Sequence, residues 1–96
     1  MAKTTWEAPN QDLDMGTLSE KERDRLPDSI FAFPKQRKMP LNDADHVRNA
    51  VARFNQVDGV NDSERAQAWA NIQKAANHWD IELTEGSWQE AMKHNG

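Results

Sequence analysis

The chain has 96 residues, a formal charge of −4 at neutral pH, a mean hydropathy of −1.00 and no cysteine, so it holds one domain at most, around a small core with neither disulfides nor a zinc–thiolate site. Four tryptophans and three phenylalanines must anchor that core through helix packing. The start lacks the apolar run of a signal peptide and no run of about eighteen apolar residues follows, so a cytoplasmic protein without a membrane-spanning helix is expected.

Residues 1–16 carry Pro9, Gly16 and scattered acids without a period, the pattern of a mobile N-terminal arm, with Trp6 and Leu13 as candidate docking points. Residues 17–94 read as a single helical domain. Thr17 stands three residues before Glu20, the spacing of a capping box, and Pro27 disfavours helix at Leu26. A short charged helix of about two turns is predicted between them.

The stretch "LPDSIFAFPKQRKMPL", residues 26–41, has no helical or strand period. Pro27, Pro34 and Pro40 each fix φ and push the preceding residue toward extended geometry. A continuous helix and a central strand are both excluded, and a stiff connection with turns is expected. Asp28 and Ser29 suit the cap of one short turn. Ile30, Phe31, Phe33, Met39 and Leu41 are too many large apolar groups to leave in water on a small monomer, so some of them cover the helices. Between them lies "KQRK". Lys35, Arg37 and Lys38 face Asp28 alone within 27–41, which is the one net-positive stretch of the chain. Held on a constrained loop, they form a candidate docking site for phosphates or for an acidic protein surface; a solvated loop neutralised by nearby acids is the plainer alternative.

"LNDADHVRNAVARFNQV" predicts a helix capped by Asn42 or Asp43. Val47, Ala50, Val51 and Phe54 form one stripe, and Arg48, Asn49 and Arg53 turn largely away from it. After a turn at Asp58 and Gly59, a second helix with its N-cap among residues 61–63 repeats Trp69, Ile72, Ala76 and Trp79 at helical spacing, beside Ala68 and Ala75. The alanines let the two axes approach while Phe54, Trp69 and Ile72 fill the space between. "DIELTEG" then suits a short extended segment on the core. Ser87, three residues before Glu90, starts a last helical turn or two with Trp88 and Met92 inward.

No glycine-rich phosphate loop, nucleophile elbow or metal-ligand spacing is present. Asp43, Asp45 and His46 fall in the first turn of a helix, where capping explains them better than a metal or an oriented base. The chain is therefore expected to be no enzyme, with no cofactor and no metal.

The run "LPDSIFAFPKQRKMPLNDADHVRNAVARFNQV", with "AWANIQKAANHWDIEL" and "SWQE", resembles a short domain of unknown function found in uncharacterised bacterial and bacteriophage proteins, over roughly residues 20–90. The resemblance implies a bacterial or phage context and a binding or structural role, without a mechanism. Similar proteins tend to have glycine where Asp80 stands, at the end of the second long helix.

The expected fold is all-α: two packed central helices, short flanking helices and a proline-rich strap. The expected function is a non-enzymatic module that binds another protein through Lys35, Arg37, Lys38 and Arg48, with Phe31 and Phe33 as apolar contacts. The alternatives are weak nucleic-acid binding through the same cations and Arg53, which the net charge disfavours, or an accessory piece of a larger phage assembly.

Overall fold

The computed structural model describes residues 4–8 and 26–93. The helix expected just before Leu26, and the docking role of Leu13, lie outside these residues.

Past Pro27 the chain makes a 3-10 turn, Asp28–Ile30, and enters strand β1, Phe31–Phe33. It reverses through residues 34–37 into β2, Lys38–Pro40, which pairs antiparallel with β1 so that Phe31 faces Pro40 and Phe33 faces Lys38. The expected all-α class is corrected by this two-stranded hairpin, although helices dominate the described residues. The prolines do not prevent pairing because they stand where no ladder donor is needed, Pro34 in the turn and Pro40 at a strand end. Reversal is helped by Arg37, which closes the turn with left-handed backbone at φ 53°; Met39, within β2, is also left-handed at φ 59°. No alternation announces β1, since Phe31, Ala32 and Phe33 are all buried.

Asp43 caps helix α1, Ala44–Arg53, accepting the His46 backbone N–H at 2.8 Å. Val47 and Ala50 are buried along the expected stripe, Val51 is half-buried, and Phe54 continues it in a 3-10 turn. Gly59, at φ 78°, turns the chain toward helix α2, Asp62–His78. Here Asn61 and Glu64 form a full capping box: the Asn61 side chain accepts the Glu64 N–H at 2.8 Å, and Glu64 Oε1 accepts the Asn61 N–H at 3.0 Å. β1 and α1 both pack on α2. The aromatic centre is Phe33, stacked on Phe54 at 6.1 Å, with Trp69 edge-on to Phe54 at 5.4 Å.

α2 ends in a Schellman arrangement. Asp80 is left-handed at φ 56°, the Ile81 N–H reaches the Ala76 carbonyl at 2.7 Å, and the Asp80 N–H reaches that of Asn77 at 3.3 Å. Ile81 and Leu83 then lie half-buried on the core without strand pairing. Helix α3, Trp88–Met92, is capped by Ser87 and buries Ala91, with Trp88 and Met92 half-buried against the core. Glu90 reaches back to the Gly86 N–H at 3.0 Å, one residue short of a capping box.

Trp6, named above as a docking point, is 1% exposed and belongs to the main core cluster. Its segment is tied to α2 by Asn71, a buried amide in the middle of an apolar face.

Candidate functional site

The hairpin and α1 enclose a shallow cleft of about 350 Å3. Arg37, Lys38 and Met39 line it from the hairpin, and His46, Asn49 and Arg53 from α1. The α1 residues are spaced i, i+3 and i+7, so helical geometry alone puts them on one face. His46 is oriented by its own cap: Nδ1 stands 2.7 Å from Asp43 Oδ1.

Arg37 fastens the hairpin to what precedes it. One guanidinium nitrogen donates to Asp28 Oδ1 at 2.5 Å, the other to the Leu26 carbonyl at 2.9 Å, and the group lies 4.7 Å from the centre of the Phe31 ring. Lys38 reaches the Asp58 carbonyl at 3.1 Å from an exposed position. Its charge is not neutralised by that contact, because a carbonyl oxygen satisfies one of three donors without carrying a formal charge.

Lys35 does not line this cleft. It is exposed on the hairpin turn, where its charge acts on Glu64. The Glu64 carboxyl is held below the usual glutamate range first by the Asn61 N–H, then by Gln36, whose amide donates to it at 2.6 Å, and then by Lys35, with desolvation opposing. Arg48 is also separate: it pairs with Asp45 at 3.0 Å and lines another groove, of about 270 Å3, with Val51, Ile81 and Glu82. Of the four cations expected to act together, only Arg37 and Lys38 share a cleft, and Arg53 joins them.

Phe31 and Phe33 are 0% and 1% exposed, which corrects their expected part in partner contact. Phe31 packs with Leu26 and Ile30 in a small cluster, and Phe33 belongs to the main core. Phe33 is spent on fixing the hairpin to the helices and Phe31 on the turn that leads into it, the work expected of only some of the strap's apolar residues. Sequence reasoning did not assign His46 and Asn49 to the cleft; the signal was their spacing from Arg53 on the polar face of α1.

Among the described residues no three His, Cys, Asp or Glu side chains are grouped to hold a metal ion, and no helix is long and apolar enough to cross a membrane. The model of a family of unknown function (DUF6582) matches residues 11–86, which takes in the hairpin, α1 and α2. No curated protein and no solved structure matches the chain.

Proposed function

Because the chain belongs to the DUF6582 family, whose description names no activity, we propose from its geometry that it is a non-enzymatic module binding another protein, in a bacterial or phage setting, by holding an acidic segment in the hairpin–α1 cleft. The observation that carries this reading is the convergence of Lys38 and Arg53 on one cleft, beside the Asp28-paired Arg37, in a chain of net charge −4. The cations are presented on rigid elements, with Arg37 bracing the hairpin and α1 fixing the spacing of Arg53, Asn49 and His46. The Asn49 side-chain amide beside the cations offers hydrogen bonds to carboxylate and backbone oxygens. So few cations beside an acidic remainder are poorly suited to nucleic acid, whose affinity grows with each phosphate neutralised.

The test is an amide-resolved NMR titration with a glutamate-rich peptide and, separately, with duplex and single-stranded DNA, each at low and physiological salt. Shifts at Lys38, His46, Asn49 and Arg53 with the peptide, reduced in Lys38→Ala and Arg53→Ala, are expected. Shifts with DNA alone that fade steeply with salt transfer the cleft to nucleic acid. Silence toward every ligand removes the cleft as a binding site.

A further inference from the structure

Residues 4–8 are held as a bound peptide is held. Asn71, fully buried in α2, turns its whole amide to the segment and to the strand beside it. Its Oδ1 accepts the backbone N–H groups of Thr5 at 2.8 Å and Trp6 at 3.0 Å, and its Nδ2 donates to Thr5 Oγ1 and to the Ala32 carbonyl, both at 3.0 Å. The Trp6 indole fills the core, donates from Nε1 to the Leu41 carbonyl at 2.9 Å and meets Trp79 edge-on at 5.5 Å. The Glu7 N–H donates to the Ser29 carbonyl at 3.0 Å.

Every receiving group comes from elsewhere in the chain, and all of them fall within the family match, which the segment precedes. The contacts also select chemistry. A side-chain amide reads extended backbone plus one hydroxyl, and a pocket takes one large indole with a carbonyl at its end, the pattern of an anchor residue in peptide recognition.

We infer that this groove is a recognition site for an extended Thr–Trp segment, filled in cis by residues 4–8 and open to the same segment of a second copy, so that two chains can exchange segments reciprocally. Residues 9–25 separate segment from groove in the sequence and, even with the two helical turns expected among them, can span roughly 40 Å, beyond the 31 Å longest dimension of the molecule. Exchange remakes the same contacts, so only the effective concentration of the cis segment opposes it, on the order of millimolar for a linker of this length. The cis form therefore prevails at micromolar concentration, and the exchanged dimer appears when the cis segment is spoiled or the concentration is high.

Complementation between full chains tests this. Trp6→Ala has a sound groove and a spoiled segment, whereas Asn71→Ala has a sound segment and a spoiled groove. Sedimentation of the mixture is expected to show a 1:1 heterodimer at least tenfold tighter than either variant's self-association. A peptide of residues 1–10 is expected to shift the Asn71 side-chain amide of the Trp6→Ala chain, about tenfold more weakly when it carries Thr5→Ala. Should either variant fail to fold alone, recovery of folding on mixing reads the same complementation. Glu7→Pro, which removes the donor to Ser29 and keeps the Thr5 and Trp6 side chains, supplies a milder spoiled segment. A mixture that stays monomeric at millimolar concentration, with no peptide shift, overturns the inference. Peptide binding without a heterodimer overturns the second copy as occupant.

Discussion

Asn71 and Trp6 stand 65 positions apart in sequence, and the Asn71 carboxamide oxygen accepts the Trp6 backbone N–H at 3.0 Å in the interior. That oxygen also serves Thr5, and the amide nitrogen serves Thr5 and Ala32, so one side chain satisfies groups on two segments at once. Asn71→Ala leaves the Trp6 N–H unpaired in the interior and takes one partner each from the Thr5 N–H and the Ala32 carbonyl. The expected loss is about 2–4 kcal/mol, measured by chemical denaturation. In a double-mutant cycle with Trp6→Ala the combined loss should be clearly less than the sum, because the second substitution acts on a segment already released. Additive losses would mean that Asn71 does not hold Trp6.

Arg37 should matter to stability more than a loop cation usually does. It stacks on Phe31 and reaches the Leu26 carbonyl, so Arg37→Ala is expected to lower stability by about 1–2 kcal/mol. Arg37→Lys should recover less than half of that, since an ammonium cannot stack while donating in two directions. Full recovery in the lysine variant would reduce the role of Arg37 to its charge.

Asp80 takes left-handed backbone at the end of α2, where its Cβ is strained and glycine's absence of one is an advantage. Asp80→Gly is expected to raise stability by about 0.5 kcal/mol, the relief being partly offset by greater freedom of the unfolded chain. Asp80→Val should lower it by about 1 kcal/mol or more, as a β-branched residue fits this conformation worst. The thermal midpoints of the two variants should move in opposite directions.

Glu64 ties the α2 cap to the hairpin turn, and its carboxyl is held below the usual glutamate range by the Asn61 N–H, Gln36 and Lys35. A carboxylate with a lowered folded pKa adds stability that is fully present above the ordinary glutamate value and is lost as pH falls through the folded one. Glu64→Gln keeps an acceptor for the cap but carries no charge. The thermal midpoints of the two proteins should differ at neutral pH and converge in acid, and the Glu64 carboxyl carbon should titrate below its ordinary range. A gap independent of pH would assign the effect to shape instead of charge.

How much was legible can be followed along the chain. α1 and α2 follow from apolar residues three and four apart and from short polar caps, because a helix satisfies its backbone within one segment and its pattern is local. The site was legible only in part. Lys38 and Arg37 stood out as a net-positive run, but whether Arg48 or Arg53 shares their cleft depends on how α1 is rotated against the hairpin. Asn71 lies three residues after Ala68 and four before Ala75, on the apolar face of α2, and a polar residue there signals a buried partner. The partner's identity was out of reach of any pattern within α2.

By itself the sequence determined the three helices of the described residues, the short polar stretches that hold their caps, the turn at Gly59 and the impossibility of a helix through the three prolines. Each of these rests on torsional limits and on hydrogen bonds between near neighbours. Tertiary structure decided the hairpin, the burial of Phe31 and Phe33, the separation of Arg48 from Lys38 and the capture of Trp6. Three-residue strands carry too little period to be read, and a contact between distant segments is chosen by the apolar area and hydrogen bonds it gains against the entropy of closing the loop between them.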